Sequence, residues 1–146
     1  MKSIFLICTI FLTTISCSKK DDPAKPIDFS AGNFPQKWVL VKMTGNMQGS
    51  ETTGQDMEWQ ETYLLRADGS FTKTRITGSE SLEAEGTYQA KNSSGEELLA
   101  LTYNEDSAII GNCTGDNKEI LSLNSNSQLQ SSWFACDGPG LFYEKD

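Results

Sequence analysis

The sequence predicts an all-β protein, an antiparallel up-and-down β-barrel of about eight strands. Three observations lead there. From residue 34 onward the chain falls into short runs rich in β-branched and aromatic residues, and clusters of Gly, Asn, Asp and Ser punctuate those runs at close spacing. No stretch reads convincingly as a helix. Strands this short and this close pair with their neighbours as a meander, and closing the meander removes the exposed edges of an open sheet.

Taken in order, the predicted strands are residues 38–43, 57–66, 71–77, 82–89, 97–103, 107–113, 118–123, 128–135 and 141–144. The first opens on Trp38 and Val39, and the second follows a loop of Gly, Ser and Thr. Ala67-Asp68-Gly69, Asn92-Ser93-Ser94-Gly95, Asn104-Glu105-Asp106, Gly115-Asp116-Asn117 and Asp137-Gly138-Pro139-Gly140 are turns by composition. Gly reaches positive φ without a steric penalty, and Asn and Asp side chains bond the local backbone. No internal repeat is evident.

The hairpin around Asp68 can be argued to its register. A two-residue Asp-Gly turn would set Tyr63 opposite Thr74 and leave Glu61 facing Ile76. A three-residue loop with Gly69 in the left-handed position of a bulge sets Leu65 opposite Phe71, Tyr63 opposite Lys73 and Glu61 opposite Arg75. Apolar and opposite-charge cross-strand pairs each stabilise by up to about 1 kcal/mol, which selects the bulged loop.

That register gathers Trp59, Glu61, Tyr63, Leu65, Phe71, Lys73 and Arg75 on one face, with two readings. Pointing inward, the face is a wall for an amphipathic small molecule, with Trp59, Glu61, Tyr63, Phe71, Arg75 and, from a later strand, Trp133 as the ligand-binding candidates. Pointing outward, it is solvated surface, and the rarity of buried charge favours this second reading. Glu83 and Glu85 read as a solvated edge. Trp38, Trp133, Phe134, Phe142 and Tyr143 read first as core filling. Residues 98–101 and 108–110 are apolar on both faces, so residues 27–34 or a partner chain are expected to cover them.

The first residues set the expected location. Residues 1–16 read as a signal peptide, with Lys2 ahead of an apolar run too short for the roughly 20 residues that span a bilayer. Residues 17–33 are charged, polar and proline-containing, a flexible tether, and residues 34–146 are a single barrel domain. Thr14-Ile15-Ser16-Cys17 resembles the lipobox of bacterial lipoproteins, which implies cleavage before Cys17 and lipid on its thiol. Lys20-Asp21-Asp22 resembles the surface-export signal of some gram-negative lipoproteins. The expected place is the outer membrane of a gram-negative envelope, with the lipid anchor as the membrane contact.

Composition narrows the chemistry. With 12 basic and 20 acidic residues and a net charge of −8, the chain lacks the basic surface that nucleic acid requires. It has no histidine, which removes Ser-His-Asp and Cys-His catalysis and the commonest transition-metal ligand. Of its four cysteines, Cys8 leaves with the leader and Cys17 carries lipid. Cys113 and Cys136 are then expected to form a disulfide in an oxidising compartment, contributing about 3 kcal/mol. No zinc spacing, calcium loop, phosphate-binding glycine loop or paired catalytic carboxylates stand out, so neither metal, cofactor nor enzymatic activity is expected.

Lys37-Trp38-Val39-Leu40-Val41, the hairpin Leu64-Leu65-Arg66-Ala67-Asp68-Gly69-Ser70-Phe71 and Glu85-Gly86-Thr87-Tyr88, behind a lipidated leader and tether, resemble the bacterial lipocalin-like lipoproteins. The resemblance implies an eight-stranded up-and-down barrel with Trp38 packing across its closed end. Gln36 stands where classical lipocalins have glycine, and no C-terminal helix follows. Two functions are compatible with it: an anchored barrel that binds a small apolar or amphipathic molecule inside, or a surface module that binds an envelope protein or glycan on its exterior.

Overall fold

A computed structural model of the chain describes Phe29, residues 33–93 and residues 95–146. The expected leader, Cys17 and most of the tether lie outside the described residues. Nine strands run in the order β1 (Gln36–Thr44), β2 (Thr52–Thr53), β3 (Gln60–Leu65), β4 (Ser70–Thr77), β5 (Glu80–Ser93), β6 (Glu96–Tyr103), β7 (Lys118–Leu123), β8 (Leu129–Ser131) and β9 (Gly140–Lys145). All pairings are antiparallel, and β9 returns to β1. The two-residue β2 lies beside the far half of β1 while β3 lies beside its near half, so the two share one stave of a closed eight-stranded barrel. The predicted fold class is borne out.

The β3–β4 hairpin adopts the bulged register, with Leu65 opposite Phe71, Tyr63 opposite Lys73 and Glu61 opposite Arg75. Gly69 sits at φ 82° and donates its N–H to the Arg66 carbonyl at 3.1 Å. The Asp68 carboxylate accepts from the Ser70 N–H at 2.9 Å and from its hydroxyl at 2.7 Å.

Two irregularities shape the wall. The β1–β9 register shifts between Leu40 and Lys42, so the inward phase moves by one residue and Trp38, Leu40 and Met43 are all buried. On β5, Gly86 lies under the Phe71 ring. A Cβ there would sit 2.1 Å from the Thr102 carbonyl oxygen and 2.8 Å from Phe71 Cε1.

Residues 107–113, expected as a strand, are not one. They belong to the connection between β6 and β7, and it carries Ile109, only 1% exposed, into the barrel mouth. Their apolar character therefore serves as a plug. The expected strand 128–135 is likewise cut short: β8 ends at Ser131, and a 3-10 turn, Ser132–Cys136, follows. The Ser131 hydroxyl caps that turn by accepting the Trp133 N–H at 3.2 Å, and Asp137 ends it at φ 67°. The disulfide Cys113–Cys136 is present and fastens the plug to this turn.

At the opposite end Phe29 stacks on Trp38, with ring centroids 6.1 Å apart, and Phe34 faces Tyr88 at the same distance. These two covering residues sit on the Trp38 end of the barrel. The outward Leu98 and Ala100 of β6 are half-buried.

Candidate functional site

Strand alternation aims the Glu61 face inward. Glu61 is 1% exposed, Tyr63 and Lys73 are 0%, Phe71 is 1% and Arg75 is 9%. The outward reading is thus corrected, and the reason lies on a distant strand. Glu119 of β7, also 1% exposed, brings a second carboxylate to the two cations.

The result is a closed ionic chain. Arg75 Nε donates to Glu61 Oε2 at 2.5 Å, Lys73 Nζ lies 3.1 Å from Glu61 Oε1, and it donates to Glu119 Oε2 at 3.1 Å. Tyr143 donates its hydroxyl to Glu61 Oε1, and Tyr103 donates to Glu119 Oε2, both at 2.5 Å. Arg75 Nη2 donates to the Ile109 carbonyl of the plug at 3.3 Å. Two anions meet two cations, so the interior carries no net charge. Remaining lone pairs and protons go to phenols and backbone, the condition under which buried ions are tolerated.

Aromatic rings pack around these groups. Lys73 Nζ lies 4.9 Å from the Tyr63 ring centroid and the Arg75 guanidinium 4.3 Å from that of Trp59. Tyr63 meets Tyr143 edge-on at 5.0 Å, and Phe71 meets Tyr103 edge-on at 4.9 Å. Burial holds the Tyr63, Tyr103 and Tyr143 phenols well above their ordinary range. The Glu119 carboxylate adds to this at Tyr63 and Tyr103, and Glu61 adds to it at Tyr143.

The sequence-predicted residues meet one core at different depths. Glu61, Tyr63, Phe71 and Arg75 share the interior, with Trp59 half-buried above Arg75. Trp133, on the 3-10 turn, packs partly buried against the same core: a Cβ on Gly111 would meet both its indole at 3.1 Å and Glu119 Oε1 at 2.9 Å, and a Cβ on Gly138 would lie 2.5 Å from the indole. Glu119 and Tyr103 escaped the sequence reading. A usable signal existed: Glu119 alternates with Leu121 and Leu123, a lone acid on an otherwise apolar strand face.

Chemically, the arrangement holds charge in place and offers no open surface for a ligand beside Tyr63, Phe71 or Lys73, all at or near zero exposure. Both interior carboxylates already accept from a cation and a phenol. Among the described residues no group of three or more His, Cys, Asp or Glu is placed to hold a metal. Comparison with family models, curated proteins and solved structures finds no match to this chain.

Proposed function

We propose that this chain is a lipid-anchored envelope lipoprotein of lipocalin-like build whose barrel is a filled pillar, working through its exterior on a protein or glycan partner. The carrying observation is the packed interior: Glu61 and Arg75, the charged groups that would orient a ligand, pair with each other, and Tyr63 and Phe71 are closed off from solvent. The Tyr63 hydroxyl and Trp59 Nε1 are buried without a hydrogen-bond partner among the described residues. A small molecule entering there would have to displace an ion-paired network, leaving buried charges without partners at several kcal/mol each. The location rests on the lipobox-like Thr14-Ile15-Ser16-Cys17 and the polar tether.

Native mass spectrometry of the full chain, purified from its own host envelope and compared with the denatured mass, tests the filled-pillar reading. The expected result is the same lipidated mass in both. A discrete extra mass lost on denaturation would overturn the reading in favour of an interior ligand. For the anchor, Cys17→Ser is expected to move the protein from the membrane fraction to the soluble fraction; unchanged membrane retention sinks it.

A further inference from the structure

β5 pairs with β4 through residues 80–87 but with β6 only through residues 86–93. Along its first half, then, one side of the strand faces no other strand. Parity identifies the groups left there. Tyr88 donates its N–H toward β4, to the Gly69 carbonyl at 2.8 Å, whereas the Glu85 carbonyl points the other way and accepts from the Asn104 N–H at 2.9 Å. Alternation turns the N–H and C=O of Ser81 and Glu83 to that same unpaired side.

Beyond Tyr103 the chain leaves β5 and forms the far wall of a groove of about 410 Å³. Glu83, Ala84 and Glu85 line one side of it, and Asn104, Glu105 and Asp106 the other. The four carboxylates are exposed, and no cation lines the groove. Among the described residues, Glu83 and Glu85 accept side-chain hydrogen bonds from threonine hydroxyls, Thr74 at 3.3 Å and Thr72 at 3.4 Å, and form no ion pair. Lys37 and Arg66 lie across the outer face of β4, where Arg66 bonds the Thr72 hydroxyl at 2.9 Å. Leu82, on the opposite face of the strand, is 49% exposed.

Exposed strand edges are ordinarily blunted by charge, proline or a bulge; residues 80–85 have no proline, bulge or lysine, and their only charges are glutamates, which repel an acidic edge and attract a basic one. A second copy of this chain is a poor occupant, because edge-to-edge pairing of two β5 strands would set their acidic side chains against each other. The geometry points to β-strand addition: a partner protein lays an extended segment, with Lys or Arg at alternate positions and apolar residues between, along the free edge of β5. Backbone bonds to Ser81 and Glu83 hold the segment, the carboxylates pair with its cations, and Leu82 meets its apolar face. The inference rests on the exterior being the working surface.

The test is fluorescence anisotropy of labelled acetyl-(Lys-Val)4-amide with the full chain in non-ionic detergent, against three variants. Saturable binding of one peptide per chain is expected, weakened about ten-fold or more by the exposed double reversal Glu83→Lys/Glu85→Lys. Glu83→Gln drops one charge but keeps the N–H that faces the groove, whereas Glu83→Pro removes that N–H without touching the β4 ladder. The proline variant should therefore bind more weakly than the glutamine variant while melting at a similar temperature. Absence of saturable binding, or equal binding by the proline and glutamine variants, overturns strand addition. A dimer in light scattering that the proline variant abolishes would give the edge to a second copy and overturn it too. If the peptide fails while the native mass stays bare, only the β5 site falls and the exterior reading stands. An extra mass removes the exterior reading itself.

Discussion

A single glutamate decides how this barrel is filled. Without Glu119, Lys73 and Arg75 would share only Glu61, and one cation would be buried without a full partner. Lys73→Met should cost about 3–5 kcal/mol in urea denaturation, because it strands Glu119 with only the Tyr103 hydroxyl. The double variant Lys73→Met/Glu119→Leu should recover part of that loss; additive losses would show that the two do not interact. The tyrosines give a second readout. Their raised pKa values favour the neutral phenol in the folded state, so that contribution is complete below the unfolded value near 10 and is lost as pH rises above it. Absorbance at 295 nm should show Tyr88, which is half-buried and raised first by that burial and then by the Asp68 charge, ionising before the fully buried tyrosines. Tyr63, Tyr103 and Tyr143 should ionise together with alkaline unfolding, and an early rise equivalent to all four tyrosines would refute their burial. Glu61, Lys73 and Arg75 could be placed on one face from sequence alone; which way that face pointed could not, because its balancing charge lies 46 positions beyond Lys73.

At the level of elements, glycines mark the tightest geometry. Gly86→Ala should destabilise by about 3 kcal/mol, the upper end for overpacking, since the added carbon meets backbone at Thr102 as well as the Phe71 ring. Gly69→Ala should cost about 1 kcal/mol through its left-handed φ alone, as its Cβ would approach nothing closer than 3.8 Å. Thermal melts that rank the two in the opposite order would contradict both assignments. The β3–β4 hairpin was fully legible, since its turn residues and cross-strand pairs are local and point to one register. Residues 107–113 were not: a short apolar run is the same string whether it pairs as a strand or folds inward as a plug.

For the molecule as a whole, the disulfide joins two connections that no strand pairing holds together. Its 23-residue separation corresponds to about 3 kcal/mol in the chain-entropy estimate. Cys113→Ser/Cys136→Ser should lower the melting temperature accordingly and speed amide exchange at Ile109 and Gly111 before β3 and β4. Uniform exchange throughout would mean that the plug is held by the barrel itself. A filled interior and a stapled mouth direct attention to the outer wall, where the unpaired half of β5 is the place the barrel leaves unfinished.

From the sequence alone came the strand class, the turns, the β3–β4 register and the Cys113–Cys136 pairing, because each depends on residue type over short spans or on the two cysteines that lie beyond residue 17. The inward turn of the Glu61 face, the plug at Ile109 and the free edge of β5 belong to the tertiary structure. Burial of a charge is decided by the sum of all groups that meet it. Those groups arrive from strands far apart in the chain, so only closure of the barrel brings Glu61, Lys73, Arg75 and Glu119 into one account.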